Sequence, residues 1–71
     1  MKIETLTDLG LLIRERRKKG GLTLETLAAM LSCSPRLVGE VEKGKRNVSF
    51  STVLKICALL GIEIQANQRG L

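Results

Sequence analysis

Residues 21–44, GLTLETLAAMLSCSPRLVGEVEKG, read as two short amphipathic helices joined by a tight polar corner. Thr23 is an N-cap with Glu25 in the first turn behind it, and Leu24, Leu27, Ala28 and Leu31 fall on one helical face. Ser32 and Cys33 form the corner. Ser34 caps again, and Pro35 occupies the first helical position, where its missing N–H is no loss. Leu37, Val38 and Val41 then face inward, and Gly44 ends the helix. A pair of this length, with cations at both ends of its second member, suits insertion into a DNA groove.

Working outward, Thr5 caps a preceding helix with Asp8 as its capping-box partner. Leu9, Leu12, Ile13 and Arg16 follow at helical spacing, and the helix runs into a basic cluster from Arg14 to Lys19. Cations in a last turn complement the helix dipole, so part of this cluster has a purely local explanation. Gly20-Gly21 stops the helix. Downstream, Lys45-Arg46-Asn47 leads to Ser49 as the cap of a fourth helix, with Val53, Ile56, Cys57 and Leu60 as its buried stripe and Gly61 at its end. Ile62-Glu63-Ile64-Gln65-Ala66 alternates apolar and polar in strand fashion. A lone strand does not persist without a partner, so this segment either frays or pairs with its equivalent in a second copy, and pairing is the preferred alternative. The expected organisation is an arm at 1–4, a helical domain at 5–61, a dimerisation strand at 62–66 carrying Ile62 and Ile64, and a flexible tail at 67–71. The expected fold class is all-α, a compact bundle of four to five short helices.

Composition narrows the function. With 71 residues, 12 Lys and Arg against 7 Asp and Glu, and a net charge of +5, the chain is one small basic domain that attracts polyanions. A domain this short buries only roughly 60% of its unfolded surface, which favours association with another chain. Phe50 is the single aromatic residue, which argues against stacking on unpaired bases as the mode of binding. With no His and two Cys at no metal spacing, neither a metal site nor a cofactor is expected. Cys57 lies on the apolar face of the last helix, and Cys33 sits at the corner, partly exposed. Two unpaired thiols suit a cytoplasmic setting, and no apolar run has the form of a signal peptide or membrane span. No nucleophile–base arrangement or phosphate-cradling glycine loop followed by Lys-Ser/Thr is present, so an enzyme is not expected.

Taken together, Leu9-Gly10, Ile13-Arg14-x-x-Arg17, Gly21-Leu22-Thr23, Leu27-Ala28, Ser34-Pro35-Arg36, Val41-Glu42-Lys43-Gly44-Lys45 and Leu59-Leu60-Gly61 resemble the lambda-repressor/Cro-like (XRE-type) helix-turn-helix family over about residues 7 to 64. Within it, the small size and the Ile62-Glu63-Ile64 ending are most similar to HipB-type antitoxins. That resemblance implies a homodimer joined by a C-terminal strand, binding to an inverted-repeat operator in double-stranded DNA, autorepression, and a HipA-like kinase toxin as partner. It also implies an ion pair between Arg17 and Glu42. The other account of Arg17 is one more exposed cation.

Arg36, Glu40 and Lys43 recur at i, i+4 and i+7, opposite the inward residues. Arg36 is assigned to base readout through the O6/N7 edge of guanine, with Glu40 orienting it or accepting from a cytosine amino group. The alternative is that Arg36 and Glu40 bridge each other on a solvated face. Thr23, Ser34, Lys43, Lys45, Arg46 and Asn47 are assigned to phosphate contacts. Four positions depart from the family pattern. Leu24 stands where many relatives carry Gln, Ser32 where many carry a corner Gly, and Pro35 and Gly39 where base-reading side chains are common. A protein-interaction module in a toxin–antitoxin complex, with weak or no specific DNA binding, is the competing function these departures motivate.

Overall fold

A computed structural model describes residues 2–68; Met1 and residues 69–71, parts of the expected arm and tail, lie outside the described residues. Four helices follow in order: α1 (Leu6–Lys19), α2 (Leu24–Leu31), α3 (Pro35–Glu42) and α4 (Phe50–Leu59).

Each helix begins where the sequence places a hydroxyl cap. The side chains of Thr5, Thr23, Ser34 and Ser49 accept from the backbone N–H three residues on. At α1 the capping box is complete: the Asp8 carboxylate accepts in return from the Thr5 N–H at 3.1 Å and also from the Glu4 N–H at 3.0 Å. These bonds, that from Glu4 first, hold the Asp8 carboxyl below the usual carboxylate range.

The helix ends share one solution. Gly21, Gly44 and Gly61 all have φ near +73°, between 72° and 74°. In each case the following N–H reaches back to a carbonyl of the last turn: Leu22 to Arg17, Lys45 to Glu40 and Ile62 to Cys57. This reach-back gives a donor to a carbonyl that the end of the helix would otherwise leave without one. The corner after α2 repeats the arrangement, with Cys33 N–H bonding Ala28, but there the left-handed residue is Ser32 at φ 56°. A side chain in that conformation costs about 1 kcal/mol relative to glycine, so the corner is mildly strained, as its missing glycine implies.

The core is aliphatic: Ile13, Leu27, Ala28, Val38, Val41, Val53, Ile56 and Cys57 are buried together. Burial raises the Cys57 thiol pKa, which keeps it an unreactive small hydrophobe. Along α1, Arg16 is exposed although it follows Ile13 at helical spacing, and its neighbour Arg17 is the buried cation of the helix, paired with Glu42 as the resemblance implies. Gly10 lies where α1 crosses the end of α3; a Cβ there would collide with the carbonyl oxygens of Val41 and Glu42. Only glycine allows that approach.

Residues 62–68 continue α4 without helix, and among the described residues of one chain no strand ladder forms. Ile62 is half-buried against the core, whereas Ile64 remains exposed. Among the described residues no helix is long and apolar enough to cross a membrane.

Candidate nucleic-acid interface

The candidate interface depends first on how α3 is fixed. Its inner side is anchored by Val38 and Val41, and its last residue, Glu42, is gripped from α1. The Arg17 guanidinium donates through Nε to Glu42 Oε2 at 2.6 Å and through Nη2 to Oε1 at 3.1 Å, while Nη1 bonds the Leu22 carbonyl at 2.8 Å. Both side chains are under 10% exposed. The hydrogen bonds to the Glu42 carboxylate raise the Arg17 pKa still further, so the guanidinium stays charged. The Leu22 carbonyl is a third partner that residue patterns did not disclose. It ties the loop before α2 to the same guanidinium, so three segments meet at one charged group.

The outer side of α3 has the opposite character. The Ser34 hydroxyl is committed to its own helix, accepting from Leu37 N–H at 3.1 Å, and Thr23 likewise accepts from Thr26 N–H at 3.0 Å. Their side chains therefore cap, and a phosphate contact there would use hydroxyl donation or a neighbouring backbone N–H. Arg36 is 89% exposed and sits 3.6 Å from Glu40. An i,i+4 pair in this order, with the cation nearer the N-terminus, is the weaker arrangement and is worth about 0.2–0.5 kcal/mol at most. Arg36 is thus loosely held and can leave Glu40 at little cost.

Lys43, Lys45, Arg46 and Asn47 are all exposed. The backbone of Lys45 is tied to α3 through the Glu40 carbonyl at 3.1 Å, so this loop start moves with the helix. Gly44 presses against the N-terminal turn of α1, where a Cβ would lie 2.7 Å from Thr7 N. Lys43 and Lys45 thereby border a shallow groove of about 460 Å³ between α2 and α3, floored by Leu24, Pro35 and Gly39 and edged by Arg36 and Glu40.

The basic cluster of α1 divides. Arg14 borders an adjoining groove of about 290 Å³ with Leu11, and this groove shares Leu24, Gly39 and Lys43 with the one edged by Arg36. Arg16 and Lys19 sit instead beside Leu60 at the far end of α1. Arg14 therefore joins the cationic face, a division that charge order alone does not reveal.

Comparison with known proteins agrees with this geometry. Residues 13–67 match the helix-turn-helix family model. The uncharacterized HTH-type transcriptional regulator y4mF of Sinorhizobium fredii is 32% identical over 63 residues, covering 89% of this chain and 83% of that protein. Among solved structures, the restriction-modification controller protein C.AhdI of Aeromonas hydrophila is 43% identical, with a TM-score of 0.70 over 82% of this chain and 88% of its own. Chains of the HipA-HipB-O2-O3 complex and of the HipB-O4 20mer complex have the same fold at TM-score 0.83, with 21% identity over 99% of both chains. The helices, the corner between α2 and α3 and these matches agree: the chain belongs to the lambda-repressor/Cro-like (XRE-type) helix-turn-helix family of DNA-binding transcriptional regulators.

Proposed function

We propose that the protein is a homodimeric repressor that places α3 of each copy in the major groove of an inverted-repeat operator upstream of its own gene. The carrying observation is a cationic face made of Arg36 on α3, Lys43, Lys45 and Arg46 just after it and Arg14 of α1, around a helix whose other side is locked by the buried Arg17–Glu42 pair. Arg36 reads a base edge, Glu40 orients it or accepts from a cytosine amino group, and Thr23, Ser34, Lys43, Lys45, Arg46 and Asn47 meet phosphates.

The second copy docks on the apolar surface where Ile3, Leu9, Leu12, Phe50, Ile62 and Ile64 line one groove. Phe50 is 64% exposed there, Ile3 40% and Ile64 41%, an unfavourable display for a lone small domain. Residues 62–66 from each copy pair as strands across the two-fold axis, which supplies the partner that one chain lacks. Sedimentation tests this: a dimer is expected, and Ile64→Lys should yield monomers.

The regulated operon encodes a kinase-like toxin, which this chain holds as its antitoxin. Support comes from fold likeness to the HipB-containing complexes over the whole length, including the segment after α4. A second reading has its own observation: the higher identity, 43%, is to a restriction-modification controller protein, which favours a repressor with no toxin to hold. Co-expression with the neighbouring gene distinguishes them. An antitoxin rescues growth arrested by that gene's product and co-purifies with it, whereas a controller footprints its promoter and does neither.

A further inference from the structure

The groove beside Arg36 has an apolar floor that phosphate contact and guanine recognition leave unused. Leu24 of α2 is half-buried, and its Cδ1 lies 3.9 Å from the point a Gly39 Cβ would occupy. Apart from its two chain neighbours and the backbone of its own helix, no other atom comes within 4 Å of that point, so α3 presents backbone without a side chain there. Pro35, which has no N–H to offer, flanks the opening. Around this floor stand the ends of Arg36, Lys43 and Lys45, with Glu40 as the one anion. An apolar patch rimmed by cations matches a particular surface: a base edge that carries a methyl group, set between two phosphate backbones. In the major groove only thymine offers such a group among the four bases.

We propose that Leu24 and the side-chain-free face of Gly39, beside Pro35, form a methyl-reading site that selects a thymine adjacent to the base contacted by Arg36. The inference rests on the operator-binding function proposed above. Without a side chain at position 39 the helix approaches the base pair closely, and the Leu24 δ-methyls become the atoms the thymine methyl meets. Burying one methyl in this way corresponds to roughly fourfold in affinity per half-site. The groove thus supplies specificity at positions where hydrogen-bonding side chains are missing.

The test replaces thymine with deoxyuridine, which removes the methyl and leaves base pairing and hydrogen-bonding groups in place. Operators are first selected from random duplexes by the intact protein. Each thymine of the selected half-site is then replaced in turn, and binding is measured by competition. The expected result is a loss of roughly fourfold per half-site at one position, next to the guanine whose replacement no longer costs affinity in Arg36→Ala. The loss should vanish in Leu24→Gln, whose folding is checked by thermal melting. Specific binding with no loss at any thymine overturns the methyl site and leaves the operator function standing. A loss that persists in Leu24→Gln also overturns it, since the methyl is then read elsewhere. Failure to select any duplex overturns both.

Discussion

Two Arg–Glu pairs end on the same short helix, and they have opposite properties. Arg17–Glu42 is bidentate, joins α1 to α3 and is buried; Arg36–Glu40 is 3.6 Å long, lies within one turn of α3 and has its arginine almost wholly in solvent. The first spends three guanidinium N–H groups inside the protein, two on Glu42 and one on the Leu22 carbonyl, and both of its side chains are buried. The second is held so weakly that its guanidinium is free for exchange. A recognition helix needs both conditions, since base readout at hydrogen-bond resolution requires a rigid helix axis and movable tips. Ion pairs of identical composition therefore divide the labour between orientation and contact according to burial.

The largest expected effect lies on the buried side. Glu42→Ala strands the Arg17 charge and should destabilise the fold by about 3–5 kcal/mol, measured by urea unfolding. In a domain this small, that is most of the available stability. Replacing both residues with apolar ones of similar volume sharpens the point. Stability should return to near the parent value or above, because a buried pair contributes little net energy. DNA affinity should stay depressed, because the three segments gathered by the guanidinium are no longer held in register. Full recovery of both would show that the pair does not orient α3.

Gly10→Ala comes next. The added Cβ meets two carbonyl oxygens at the end of α3, neither of which can rotate away, so α1 must shift. A loss of about 1–3 kcal/mol is expected in thermal melting, against the small gain that alanine gives in an open helix. On the exposed side, Glu40→Ala should leave stability within about 0.5 kcal/mol of the parent. A larger drop would mean that Arg36 and Glu40 form a structural pair after all. The smallest effect is pH-dependent and concerns neither pair. The Asp8 carboxyl has a folded pKa below its unfolded value. Its contribution is therefore complete above the ordinary carboxylate range and is lost as pH falls through the depressed folded value. Melting curves in acid should show this slope, and Asp8→Asn should flatten it.

Much of the architecture was legible because local signals agreed. Four hydroxyl caps, a proline at the first position of α3 and three glycines past helix ends mark the boundaries without tertiary information. The inward stripe of α3 was legible for the same reason, and its outer residues Arg36, Glu40 and Lys43 follow by periodicity. What stayed hidden depends on distant segments meeting. Nothing local tells Arg17 from Arg16 as the buried cation; only the family resemblance pointed to Arg17, and the crossing of α1 over α3 is what buries it. The Leu22 carbonyl, the placement of Arg14 on the groove-facing side and the contact of Leu24 with Gly39 are of the same kind. Gly10 belonged to a familiar pattern, but its reason, a backbone-to-backbone crossing, is visible only in three dimensions. The alternation at Ile62–Ala66 signals a strand whose ladder partner would have to come from outside the chain.

The central claim is that the exposed ridge of α3 reads duplex DNA, and competition binding tests it most directly. A labelled duplex carrying the inverted repeat upstream of the gene is titrated with protein, then challenged with unlabelled operator or with scrambled sequence across about 50 to 200 mM salt. The account predicts that operator competes far better than scrambled duplex and that affinity falls steeply with salt. Arg36→Ala should lose about 1–3 kcal/mol of that discrimination while melting like the parent. Equal competition by both duplexes, or a discrimination that Arg36→Ala leaves intact, would contradict it.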